Sequence, residues 1–275
     1  MGKFECLTLL PNGDLVCGGN DGKIKIWDTY DGTVKQTLSS HKDWVCDVIL
    51  IDSDCLISSS GDTTIKIWNL KQGTLRTTLT GHTERVLALK EIQKGVLASG
   101  SGDKTIKIWK IQDGSLIKTL TGHTDVVYAL VLLNDGDLVS GSKDGTIKIW
   151  DVENGIVKRT SKNWFGQSSY VYRLILLRNG NLVSGYADGS IKVWNLEDRT
   201  VKRTLTGHTS YIYALKELGN GDLVSGSADG SMKIWDVENG TLKKDIRVNS
   251  RVTSLEILLN GDLVSGSDNS ILIWN

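Results

Sequence analysis

The stretch DLVSGSKDGTIKIWDVENG, residues 137–155, decides the fold. LVSGS is short and apolar, KDG is a turn, and TIKIWD alternates apolar with polar residues before a second turn, ENG. Asp-Gly and Asn-Gly supply the positive-φ positions of tight hairpins, so each turn reverses the chain into an antiparallel neighbour. Upstream, VVYALVLL (126–133) is an apolar run that ends in the turn NDG. Downstream, IVKRT (156–160) is more polar. Together they make a four-stranded meander running from a buried inner strand to a solvated outer one.

The same phrase returns along the chain. Trp150 closes TIKIW, and Trp27, Trp68, Trp109, Trp194, Trp235 and Trp274 close phrases such as KIKIW and SIKVW. The successive spacings are 41, 41, 41, 44, 41 and 39. A period in the forties marks one supersecondary unit stacked on copies of itself. Seven such sheets set around an axis give an all-β propeller, which leaves only short protected edges. The copies run from end to end with no linker, so residues 1–275 are expected to form one propeller domain. Nothing reads as a helix, and the single proline, Pro11, sits in a turn.

Charge is balanced, with 32 basic and 32 acidic residues and a pI near 6.9. That argues against a dedicated nucleic-acid or anionic-membrane surface, which needs a basic excess on some face. No apolar run is long enough to span a bilayer. The N-terminus, MGKFECLTLLPNG, has no basic n-region, long apolar core or small-residue cleavage site, so no signal peptide is read. Cys6, Cys17, Cys46 and Cys55 all lie in the first two repeats, with no CxxC pair. They read as small hydrophobes in a reducing, cytoplasmic compartment rather than as a metal or redox site. The lysine two before most of these tryptophans (Lys25, Lys66, Lys107, Lys148, Lys192, Lys233) reads as a solvated strand face with its stem packed on a neighbour.

Two dipeptides and one set of intervals carry a family likeness. Trp27-Asp28, Trp150-Asp151 and Trp235-Asp236 form one; Gly81-His82, Gly122-His123 and Gly207-His208 form the other. Trp68, Trp194 and Trp274 are followed instead by Asn, and Trp109 by Lys. His41, Ser58, Asp62 and Trp68 are separated by 17, 4 and 6 residues. The same intervals separate His82, Ser99, Asp103 and Trp109; His123, Ser140, Asp144 and Trp150; and His208, Ser225, Asp229 and Trp235. On these residues the chain resembles the WD40 repeat family over its whole length. The resemblance implies a seven-bladed propeller whose His, Ser, Asp and Trp form an internal hydrogen-bonded tetrad. Such a tetrad satisfies a buried indole N–H and leaves few orphaned polar groups. It also places the four histidines in four different blades, too far apart to share a metal or a proton. Ser, His and Asp here resemble the structural tetrad and not a hydrolase triad. No cofactor or metal is expected.

Three repeats depart from the pattern. The first has Cys17, Asp21 and Trp27, and its His would fall before Met1. The fifth has Ser184, Asp188 and Trp194, with Gly166-Gln167 in place of Gly-His and extra residues around Trp164-Phe165. The seventh has Val248 at the His position. These blades are expected to be softer. The chain begins on an inner strand and reaches only the third strand of the last repeat, so the last blade is expected to lack its outer strand. Two readings stand: residues 270–274 offer an open edge for strand addition, or upstream residues of a longer protein complete the sheet.

In the family, loops entering the inner strand and following the second strand share one face. The third residue after the His position is Lys3, Trp44, Arg85, Val126, Tyr170, Tyr211 and Arg251 around the ring. The fifth is Glu5, Cys46, Leu87, Tyr128, Tyr172, Tyr213 and Thr253. Five of the seven tyrosines occupy these two rings, and Tyr186 lies in the neighbouring turn. Tyr, Trp and Arg carry most interface energy, roughly 2 kcal/mol or more at a hot spot. Tyr128, Tyr170, Tyr172, Tyr186, Tyr211 and Tyr213, with Trp44, Trp164, Arg85 and Arg251, are therefore the candidate partner-binding residues. The arginines suit an acidic or phosphorylated group on a protein or peptide. The expected function is a non-catalytic interaction scaffold or adaptor, without nucleic-acid or membrane partners. A propeller enzyme would need converging groups, and only isolated Glu5, Asp43, Glu84 and Asp125 stand on the rim. An architectural propeller that assembles through its last blade is the remaining alternative.

Overall fold

The computed structural model describes residues 4–162, 169–196, 200–268 and 270–275. Among them, 27 strands form seven antiparallel sheets, six of four strands and one of three, each following chain order without a crossover. The inner strands stand side by side in a ring: Phe4–Leu9, Val45–Asp52, Val86–Gln93, Val127–Leu132, Val171–Leu176, Ile212–Glu217 and Val252–Ile257. The ring closes where the inner strand of the first blade packs beside that of the seventh.

The fourth blade shows how sequence makes a blade. Val127–Leu132 leads to Leu138–Ser142, Thr146–Asp151 and Ile156–Lys162. The three turns place Gly136, Gly145 and Gly155 at φ 88°, 77° and 71°, a region closed to most side chains. All five residues of Leu138–Ser142 are buried, because both faces of the second strand meet neighbouring blades. Its glycine has a packing role. A Cβ on Gly141 would lie 2.6 Å from Val171 Cγ1 of the next blade, and Gly100, Gly185 and Gly226 face Val127, Ile212 and Val252 in the same way. Each glycine is thus the seat for the β-branched residue that opens the next inner strand.

Polar chains cross the interiors of four blades. Trp150 Nε1 donates to Ser140 Oγ at 2.7 Å, Ser140 Oγ lies 2.6 Å from His123 Nε2, and His123 Nδ1 lies 2.8 Å from Asp144 Oδ2. His41, Ser58, Asp62 and Trp68 are joined through the same atoms at 2.8 to 2.9 Å. So are His82, Ser99, Asp103 and Trp109, and His208, Ser225, Asp229 and Trp235, at 2.7 to 2.8 Å. Burial works against the Asp62 carboxylate, but bonds from Thr64, the Lys42 N–H and His41 outweigh it and hold it at about 2. The ionised Asp keeps the imidazole proton on Nδ1, so Nε2 accepts from the serine hydroxyl, which in turn accepts from the indole. Burial lowers His41, His82 and His208, and the bond to Asp offsets this only in part, so these rings stay neutral. The serine oxygens are fully buried against tryptophan. A hydrolase must present that oxygen to substrate; these present it to an indole.

The fifth blade keeps its Trp–Ser bond without a histidine. Trp194 Nε1 still donates to Ser184 Oγ, at 2.7 Å. Tyr186, at the end of the second strand where five of the other blades carry serine, lies 1% exposed; burial pushes its phenol up, with Ser184 opposing. Ser169 takes over the bond that this serine makes elsewhere, accepting the Asp188 N–H at 3.0 Å. Tyr186 is therefore not a binding-face residue, as the sequence suggested; burial excludes it from any ligand. The lysine stripe also differs from expectation. Lys66, Lys192 and Lys233 are buried, because their ammonium groups find partners inside: Lys66 on Thr78 Oγ1 at 3.2 Å, Lys192 over the Tyr186 ring at 5.3 Å, and Lys233 on Asp245.

The last blade has three strands, Val252–Ile257, Leu263–Ser267 and Ile271–Trp274. Ile273 on its edge is 49% exposed.

Candidate binding bowl at the mouth of the ring

Every inner strand enters its sheet with the same irregularity. In the fourth blade Val127 pairs with Ser142 and Ala129 with Gly141, so Tyr128 between them pairs with neither. Tyr172 stands in the same gap between Val171 and Arg173, and Tyr213 between Ile212 and Ala214. Glu5, Cys46, Leu87 and Thr253 are the corresponding residues of the other blades. A bulge bends its strand and re-aims the extra side chain. All seven bulge residues line one bowl at the mouth of the ring, of about 410 Å³.

A second ring stands outside the first. The carbonyls of Trp44, Arg85, Val126, Tyr170 and Tyr211 each accept the backbone N–H of the residue that follows the second strand of their own blade, at 2.8 to 3.0 Å. This clamp fixes the loop, so the side chains are held rather than waving. In the seventh blade a side chain does the work: Arg251 makes a two-pronged ion pair with Asp268, closest at 2.6 Å.

The structure brings five tyrosines into one cluster centred on Tyr172. Its ring stacks on Tyr128 at 4.3 Å between centroids, meets Tyr211 and Tyr213 edge-on at 5.2 and 5.7 Å, and lies 6.5 Å from Tyr170. Tyr211 and Tyr213 stack on each other at 5.9 Å. Offset stacks and edge contacts of this kind add about 0.5–1.5 kcal/mol each beyond area burial, so the cluster is stiff without a ligand. Burial and the neighbouring Tyr128 hydroxyl push the Tyr172 phenol up, and it stays neutral. Lys143 Nζ lies 5.4 Å over the Tyr170 ring. Tyr211, at 36%, and Trp44, at 49%, are the exposed aromatics of the face.

Not every sequence candidate is equally placed. Trp164 lies outside the described residues, and Tyr186 is buried. Arg251 is committed to Asp268, while Arg85 is exposed on the rim and makes no ion pair among the described residues. Two residues escaped the sequence reading, Arg173 and Asp47. Each follows a bulge and leans across to the next blade: Arg173 Nε donates to the Tyr213 carbonyl, and Asp47 Oδ2 accepts the Leu89 N–H at 2.9 Å. The signal was available as two charged residues in a column otherwise filled by Cys6, Ala88, Ala129, Ala214 and Ser254. Burial pushes the Asp47 carboxyl up to about 6 in spite of the Arg173 charge and its backbone bonds. Burial likewise raises the Cys46 thiol to about 12, so it is no nucleophile. Among the described residues no group of three His, Cys, Asp or Glu is placed to hold a metal ion.

The sequence model of the family described as WD domain, G-beta repeat matches residues 3–28, 32–69, 73–110, 114–151, 158–195, 199–236 and 240–275. The chain belongs to the WD40 repeat family. Among solved structures, the WD40 beta propeller domain of Doa1 is similar over 99% of this chain and 92% of its own, with a TM-score of 0.87 and 29% identity. No curated protein matched the chain. WD40 propellers generally act as platforms for protein interaction and are typically not enzymes.

Proposed function

We propose that this WD40 propeller is a non-catalytic adaptor or scaffold that docks a peptide or protein segment on its Tyr-rich mouth. The tyrosine cluster carries this reading: five phenols pack ring against ring around a bowl of about 410 Å³, with Trp44 facing them across the mouth. A site already rigid loses little entropy on binding. Aromatic side chains concentrated at one mouth are the usual anchors of an interface. Arg85, on the rim and without an ion pair among the described residues, suits an acidic or phosphorylated residue of the partner. The protonated Cys46 thiol and the buried tetrad serines support a binding role over a chemical one. Four reduced cysteines suit a cytoplasmic setting.

The test is a pull-down with mass spectrometry, comparing the wild-type chain with a folded Tyr128→Ala/Tyr172→Ala/Tyr213→Ala variant. Partners kept by the former and lost by the latter would support the reading. Identical catches would end it. The exposed edge at Ile273 favours a second reading, assembly by strand addition at 270–274. Light scattering decides it: a mass independent of concentration removes self-assembly through that edge.

A further inference from the structure

The Tyr-rich reading leaves Arg173 without a role. It lines the bowl beside Tyr172, at a position where four other blades carry only Ala or Ser. Its Nε is tied to the Tyr213 carbonyl, which fixes the plane of the guanidinium. Its two terminal nitrogens have no hydrogen-bond or ion-pair partner among the described residues. A guanidinium held by one nitrogen and lining a cavity is a half-made fork for two oxygens.

The charges around it point one way. Arg85, Arg173 and Arg251 line the bowl, against Glu5 as the one lining acid. Arg251 is neutralised by Asp268, which leaves Arg85 and Arg173. Asp47 acts on Arg173 through space without contact, and its oxygens are already taken by the Leu89 and Val48 N–H groups. The volume of about 410 Å³ falls in the range of small-ligand sites and exceeds what one side chain needs.

We infer that the bowl is an anion seat. A ligand side chain ending in a carboxylate or phosphate enters past Tyr128 and Tyr172, its apolar stem lies on those rings, and its oxygens take the terminal N–H groups of Arg173. Arg85 closes from the rim. The inference rests on the docking face proposed above and names its ligand class. A cationic side chain on the tyrosine faces is the rival, and the positive charges of Arg85 and Arg173 oppose it.

Titration calorimetry on the whole chain tests this with four probes: phenyl phosphate, N-acetylglutamate amide, its neutral glutamine analogue and N-acetyllysine amide. At least one anion should bind, and the neutral and cationic probes should not; the preferred anion tells phosphate from carboxylate. Arg173→Gln should weaken that binding by about tenfold or more, the scale of a lost charge-assisted pair. Asp47→Asn removes an opposing charge and should strengthen it, a gain that misfolding cannot imitate, so it decides even if Arg173→Gln fails to fold. The seat is overturned if neither anion binds, if the glutamine or lysine probe binds as well, if folded Arg173→Gln binds as wild type, or if Asp47→Asn gives no gain. A protein partner lost by Tyr172→Ala but kept by Arg173→Gln would end the anion seat and keep the Tyr-rich face. Retention by both would end both.

Discussion

At the scale of single residues, the tetrad serine is the junction of the four blades that carry the full set. Ser99→Ala leaves the Trp109 indole and the His82 ring without their shared partner in a buried interior. Such orphans cost about 1–3 kcal/mol each, and urea denaturation should show a loss of about 2–4 kcal/mol. Tyr186→Phe removes only a buried hydroxyl from the blade that lacks histidine, so the same measurement should show the smaller loss of about 1 kcal/mol. Protonation tests the tetrads together. His41, His82 and His208 have native pKa values below their ordinary 6.5, and Asp62 and Asp229 sit at about 2 against an ordinary 3.8. For both kinds of group the unfolded chain takes up the proton first, so stability falls as pH falls. Loss should begin below about 6.5 through the histidines and steepen between about 4 and 2 through the aspartates, read as Tm against pH. The tetrads could be read from intervals of 17, 4 and 6 because each member is a distinctive residue type. Tyr186 could not, since its meaning depends on a histidine that is absent three-dimensionally, not on any motif of its own.

At the scale of strands, the turns announced themselves and the bulges did not. Asn-Gly and Asp-Gly mark a hairpin by chemistry alone. A bulge is a matter of pairing, and Tyr128, Cys46 and Thr253 share no residue type that would signal it. Alternation likewise placed lysines such as Lys66 on a wet face, whereas Thr78 opposite it gave the ammonium a part-buried partner. The glycine seats between blades give a prediction of opposite signs. Gly226→Ala would put a methyl 2.4 Å from Val252 Cγ1 and should lower stability by about 1–3 kcal/mol. The second blade carries Ser59 at this position, with its hydroxyl buried and without a hydrogen-bond partner among the described residues. Ser59→Ala keeps the Cβ and removes the stranded hydroxyl, and the melting temperature should rise.

At the scale of the whole ring, the period of the tryptophans was enough to count the blades, and the missing phrase after Trp274 was enough to expect a three-stranded last one. The composition of the mouth was also legible, because five tyrosines in two columns leave little else to read. Its sign was not: Arg251 needed Asp268 in view, and Arg173 needed the bulge beside it. Unequal blades should open unequally. Amides of Ile271–Trp274 should exchange with deuterium faster than those of the third strands in the other blades, where an outer strand covers the edge. Equal protection across all seven would show that this edge is covered in solution. The stack of Tyr128 on Tyr172 has an optical side as well. Two phenol rings 4.3 Å apart and tilted by 20° absorb as a coupled, chiral pair rather than as separate chromophores. Whatever enters the bowl must part them or press them closer, so near-ultraviolet circular dichroism should report occupancy of this propeller without any label.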